Sequence, residues 1–239
     1  INQNLCPTGR GSSLEYKIMI TPLSIMVLDT ETASLETGVY DVGYTICNRK
    51  GEIEHKANWL VEENFTNGKL MKGAYFAAKM FSMYSGLIQS GAIRLTPWRE
   101  IVGNMRHDFD RHNVNVIAAY NLPFDRKVMA NTHKDLKGYG SILPKCKQLD
   151  IYRFACESRQ NTNLYRQIAE EQGWKTAKGN FLTNAEVAYK YITGKWDFKE
   201  SHTALDDAII ETEILASCYR SKKKIPYNDL RLAQWKIVN

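Results

Sequence analysis

The sequence is short of several things that would have simplified its reading. It has no apolar run long enough to span a bilayer, because every hydrophobic stretch is soon broken by charge, so a membrane-spanning helix is not expected. Residues 1–13 are polar with no apolar middle and do not read as a secretory signal. Cysteine is sparse: Cys6, Cys47, Cys146, Cys156 and Cys218 are odd in number and widely spaced. No pair has the CxxC spacing of a zinc or redox site, so a disulfide framework and a thiolate metal centre are both unexpected. Reduced thiols and a cytoplasmic location are the expectation, the host-cell cytoplasm if the source is viral. No repeat of 20–50 residues stands out, which argues against a solenoid or propeller.

What remains is ordinary globular composition. Of 239 residues, 44% are hydrophobic and 24% charged, enough to bury a core without staples. The net charge of +6 is a mild basic excess, compatible with a polyanionic partner. Residues 1–16 read as a loose tail, 17–220 as one domain, and 221–239 as a basic C-terminal tail beginning near Lys222-Lys223-Lys224.

The apolar run from Ser24 to Asp29 predicts a buried central strand. Strands at Val42–Cys47 and about Glu54–Val61 follow closely, as in an antiparallel meander. Residues 65–95 look helical and irregular. Pro97 opens a helix whose face is Ile101, Met105 and Phe109. Strands over 114–119 and 146–152 then alternate with helices begun at Pro123 and over about 162–172, 184–192 and 203–220. This order predicts an α/β protein with a mixed five-stranded sheet flanked by helices.

Four acidic positions stand out. Asp29 and Glu31 end the first strand two residues apart, so they leave the sheet on the same side. Unpaired, they would raise each other's pKa. A divalent cation with a taste for oxygen, Mg²⁺ or Mn²⁺, would resolve that conflict, and so would a strand simply running into a polar turn. Asp125 falls in the first turn of the helix begun at Pro123, where the helix dipole favours an acid whatever its role. Thr203-x-x-Asp206 resembles a capping box, which gives Asp206 a structural task and leaves the adjacent Asp207, about 100° round the helix, free to face elsewhere. His202 lies just before that helix. Glu211, one turn beyond Asp207, is expected at the surface or in a supporting role. The run His107-Asp108-x-x-x-His112 suggests a metal site, but a solvated helix face is the better account.

Taken in order, Asp29-x-Glu31, Asn121-x-x-Phe124-Asp125 and His202-x-Ala204-x-x-Asp207 resemble the motifs of the DEDDh, or DnaQ-like, 3′→5′ exonucleases over roughly residues 22–220. The histidine five residues before the last aspartate marks the DEDDh branch. The sister branch has tyrosine four residues before it, where this chain has Thr203. The stretch from Phe198 to Leu205 is also similar to phage-encoded members.

The resemblance implies an RNase H-like fold, two divalent cations, and release of nucleoside monophosphates from 3′ ends. It implies that Asp29, Glu31 and Asp207 hold one cation, that Asp29 and Asp125 serve the other, and that His202 is the general base. Thr30, Thr32 and Asn121 flank the acids as candidate substrate contacts. The expected partner is nucleic acid, as single-stranded DNA, duplex 3′ ends or RNA, with no membrane and with a polymerase or replication protein as a candidate partner on a separate chain. The other reading is a non-catalytic nucleic-acid-binding scaffold on the same fold. Without its four acids the chain would carry +10, a more basic scaffold than the overall balance suggests.

Overall fold

Alternation along one strand organises the molecule. In the computed structural model, which describes residues 23–239 apart from the side chains of residues 75–81, the first strand is β1, Ile25–Thr32. Ile25 and Val27 belong to a core on one face of the sheet, Met26 and Leu28 to a core on the other. Period-two geometry carries Asp29 and Glu31 onto the Ile25–Val27 face.

β1 pairs antiparallel with β2, Val39–Cys47, which pairs antiparallel with β3, Ile53–Val61. On its other side β1 runs parallel to β5, Val116–Ala119, and β5 parallel to β6, Lys147–Asp150. A short β4, Arg94–Thr96, adds in parallel to β3, so the sheet has six strands in the order β4-β3-β2-β1-β5-β6. The expected RNase H-like mixed sheet is therefore present with one strand more than predicted. Three residues carry too little periodicity to be read as a strand from sequence.

Residues 62–89 form three helices, α1 (Glu62–Phe65), α2 (Gly68–Met71) and α3 (Tyr75–Gln89). On the Met26–Leu28 face lie α4, Trp98–Arg111, and α5, Leu122–Asp135. Ile101, Met105 and Phe109 of α4 are buried there, as their spacing predicted. The other face carries α6 (Ile151–Ala155), which continues into a π-helical turn, Cys156–Gln160. Beside it lie α8 (Ala185–Thr193) and α9 (Ala204–Ser221), while α7 (Asn163–Glu171) packs in a smaller outer cluster.

Asp108 departs from the solvated face expected of it. It is 8% exposed and accepts hydrogen bonds from Tyr44 Oη at 2.6 Å and from His55 Nε2 at 2.8 Å. An acid on α4 is drawn inward because β2 and β3 supply its donors. Residues 222–239 run back over the domain: Asn228 N–H donates to the Gln148 carbonyl at 2.7 Å, and Val238 is buried. Lys222 pairs with Glu157 at 2.7 Å. Cys47, Cys146, Cys156 and Cys218 are free thiols. Cys6 and the expected 1–16 tail lie outside the described residues. Among the described residues, no helix is long and apolar enough to cross a membrane.

Candidate active site

The acids converge because β1, β5 and α9 meet at one end of the sheet. Asp29 stands opposite Gly43 of β2, and Glu31 opposite Asp41, in the β1–β2 register. The register shifts between Glu31 and Thr32, where β2 carries one extra residue. A bulge there ends regular pairing and bends the strand at the site.

α9 crosses this face with its first turn almost touching β2. A Cβ on Gly43 would lie 2.2 Å from the Leu205 nitrogen and 2.4 Å from the Ala204 carbonyl carbon, so only glycine allows the approach. Asp41, fully buried, accepts the Ala204 N–H at 3.1 Å, the Tyr84 hydroxyl at 2.9 Å and the Asn58 amide at 2.6 Å. A carboxylate is thus fixed against the positive end of α9. Burial still pushes its carboxyl up to about 6. Asp41 and Gly43 were missed in the sequence. The hint they gave was a buried-looking strand carrying an aspartate and a glycine at alternate positions.

With α9 so placed, Asp207 comes over β1. Donor atoms of Glu31, Asp207 and His202 lie within 4.8 Å of one another. His202 adopts φ 56°, a left-handed backbone conformation uncommon outside glycine. Asp206 accepts the hydroxyls of Thr203 at 2.8 Å and Ser201 at 3.0 Å. It therefore ties down the loop before α9 through side chains, in place of the backbone N–H that a capping box would use. Asp125, at the start of α5, is 2% exposed and accepts the Thr30 hydroxyl at 2.8 Å. Thr30 is itself buried, so its hydroxyl orients Asp125 and does not face solvent. The Thr32 hydroxyl donates to the Ser34 carbonyl at 2.7 Å. Asn121, the residue before α5, sits at φ 77°.

Glu211 is not at the surface. It is 3% exposed and accepts the Tyr120 N–H at 3.0 Å. Its spacing of four from Asp207, on the same face of α9, was the signal.

The site is electrostatically unbalanced. Burial raises the Asp29 carboxyl well above the usual range, and Glu211, Asp125, Asp207 and Glu31 raise it further. Burial, then Asp207 and other acids, push Glu31 up to about 9. Burial, then Glu200, push Asp207 up to about 8. Burial takes Asp125 to about 7 against the lowering effect of the Thr30 hydrogen bond, and burial also holds Glu211 well above its usual value. Among the described residues no lysine or arginine pairs with any of these five acids. A packed set of carboxylate oxygens with no cation of its own has the donor chemistry of a hard divalent metal site. The donor atoms of Glu31 and Asp207 that lie close together there could hold such an ion.

No protein-family model matches the chain, and no curated protein matches it. Solved structures do. An exonuclease X in complex with 5′-overhanging duplex DNA is 16% identical over 90% of this chain and 99% of its own, at a TM-score of 0.43. A moderately thermophilic exonuclease I from Methylocaldum szegediense is 14% identical at a TM-score of 0.49, over 84% of this chain. The zinc-bound E. coli exonuclease I–single-stranded DNA complex is 10% identical at a TM-score of 0.45, over 80% of this chain. The chain spans 41% and 39% of those two exonuclease I chains, respectively.

Proposed function

We propose that this chain is a metal-dependent 3′→5′ exonuclease that releases nucleoside monophosphates from nucleic-acid 3′ ends, with DNA as the favoured substrate. The observation that carries the reading is the convergence of Asp29, Glu31, Asp125 and Asp207, drawn from β1, α5 and α9, with no lysine or arginine paired to them among the described residues and with the His202 imidazole beside Glu31 and Asp207. The 3′→5′ polarity follows the resemblance of the three motifs.

Two divalent cations held by these acids would neutralise charge on the attacked phosphodiester and the leaving 3′ oxygen. The rest is the work of the chain. Asp41 and Gly43 seat α9 so that Asp207 overlies β1. Thr30 holds Asp125 by its Oδ1. Asp206 fixes the loop that carries His202. His202 takes the proton from the attacking water at an imidazole nitrogen and returns it to solvent, a task suited to an imidazole. A base whose lone pair was bound to metal could not do this, so His202 is assigned to proton transfer and not to the metal.

Digestion of 5′-labelled and 3′-labelled DNA and RNA oligomers tests the reading. Mg²⁺ or Mn²⁺ should give a shortening ladder from the 5′-labelled strand and immediate release of label from the 3′-labelled one, and EDTA should stop both. Binding without cleavage in either metal would leave a nucleic-acid-binding scaffold instead.

A further inference from the structure

Beside the acid cluster lies a pocket of about 480 Å³ that the catalytic proposal does not use. Its size falls in the range of small-ligand sites. One wall is the β5–α5 corner, Tyr120 and Asn121. Another is Tyr152 of α6, whose ring stacks on Tyr120 with centroids 5.0 Å apart and planes 18° from parallel. The third comes from the loop before α8, with Phe181 and Asn184, and the fourth is Trp235, near the C-terminal end of the chain.

One buried acid holds three of these walls together. Asp150 accepts the Asn121 N–H at 3.1 Å, the Tyr152 N–H at 3.2 Å and the Gln234 side-chain amide at 2.6 Å. The last bond delivers Trp235, which is 39% exposed. The loop wall is tied on as well: the Tyr120 hydroxyl donates to the Thr183 carbonyl, and the Tyr152 and Thr183 hydroxyls share a bond of 2.7 Å.

The lining selects a class of ligand. Among the described residues, no charged side chain lines the pocket. Aromatic rings supply flat apolar surface. The side-chain amides of Asn121, Asn180 and Asn184 have no protein partner among the described residues, so donors and acceptors are available at the rim. Cations sit outside: Lys175, which also pairs with Glu170, lies 5.1 Å from the Phe181 ring centroid, and Lys236 lies 5.7 Å from that of Trp235. An uncharged planar heterocycle inside, with anionic groups at the lysines, is the chemistry of a nucleobase on its sugar-phosphate backbone. The pocket wall is joined to the acid cluster through the backbone: the Tyr120 N–H is bonded to Glu211, and Asn121 lies four residues before Asp125.

We propose that this pocket takes one of the last bases of the strand whose 3′ end lies among the acids, and that Trp235 and Asn184 fix its position. The inference rests on the exonuclease reading and adds a base-binding site to it. Two measurements on the full chain test it. In the first, single-stranded oligo-dT carrying 5-iodouracil at each of its last four positions in turn is irradiated with the protein in EDTA, and the crosslinked residue is found by mass spectrometry. Crosslinks from one position to Trp235, Phe181, Tyr152 or Tyr120 are expected, and crosslinks confined to residues outside the pocket would overturn the site. In the second, Trp235→Ala should raise KM for the unmodified oligomer about tenfold with kcat within about twofold, Asn184→Ala should raise KM about threefold, and Trp235→Phe should stay within about threefold of wild type. Unchanged KM in Trp235→Ala and Asn184→Ala, with the oligomer still shortened, would remove this inference and leave the exonuclease reading standing. An oligomer neither bound nor shortened would remove both.

Discussion

The metal-free protein should lose stability as pH rises across a range where most proteins are steady. The cause is the set of carboxyls whose folded pKa lies above the unfolded one: Glu31 at about 9, Asp207 at about 8 and Asp125 at about 7. A carboxyl raised in this way keeps its proton in the folded state after the unfolded chain has lost it. The folded state therefore binds more protons, and stability falls with pH from the unfolded value near 4 up to the folded value. Each net proton gives a slope of about 1.4 kcal/mol per pH unit, so one proton held between pH 5 and 8 makes a loss of about 4 kcal/mol. For a chain of this size that is a fall in Tm of roughly 8–16 °C. The assay is thermal unfolding in EDTA and in excess Mg²⁺ over that range. In EDTA the Tm should drop. In Mg²⁺ it should stay nearly level, because ligand bound only to the folded ionised cluster offsets the repulsion. Glu31→Gln should flatten the EDTA slope. A flat or rising Tm in EDTA, or an equal slope in Glu31→Gln, would refute the electrostatic account of the site.

Gly43→Ala should cost both stability and turnover, since a Cβ 2.2 Å from the Leu205 nitrogen must push α9 off β2; a wild-type melt with full activity would show that the close approach is not needed. Asp206→Asn and Asp207→Asn should separate, the first losing at most about 1 kcal/mol with activity retained and the second losing activity at saturating Mg²⁺, as denaturant melts and turnover assays would show. His202→Ala should lower kcat by about 10²- to 10⁴-fold while calorimetry finds metal affinity nearly unchanged, and a collapse of that affinity would make His202 a ligand.

The legible parts of this protein are those governed by short-range periodicity. The apolar run of β1 and its polar end announced both a central strand and two acids on one face, because a period of two needs no tertiary knowledge. Ile101, Met105 and Phe109 likewise announced the buried face of α4. The illegible parts depend on what packs across the sheet. Asp41 reads locally as one polar residue in an apolar strand, and only the α9 terminus above it gives it a partner. Asp108 reads as a helix-surface acid, and only Tyr44 and His55, from other strands, draw it inward. For Glu211 the surface and a supporting role both stay open in the sequence because helix spacing alone does not say how deep a face is buried, and the Tyr120 N–H that it accepts lies 91 residues away. Thr30 is among the candidate substrate contacts in the sequence, yet its hydroxyl is spent on Asp125.

The order of the acids along the chain has a consequence for synthesis. Among the acids, Asp29 and Glu31 leave the ribosome first, Asp125 next, and Asp207 on α9 after them. Domains acquire structure as the chain is made, N-terminal parts first, and pairings between distant segments close late. A nascent chain not yet extended beyond α8 would present β1 and its two acids with no His202, no Asp207 and no Glu211. On the proposed chemistry such a fragment cannot cut nucleic acid. Hydrolytic competence would then arrive with the docking of one helix onto Gly43.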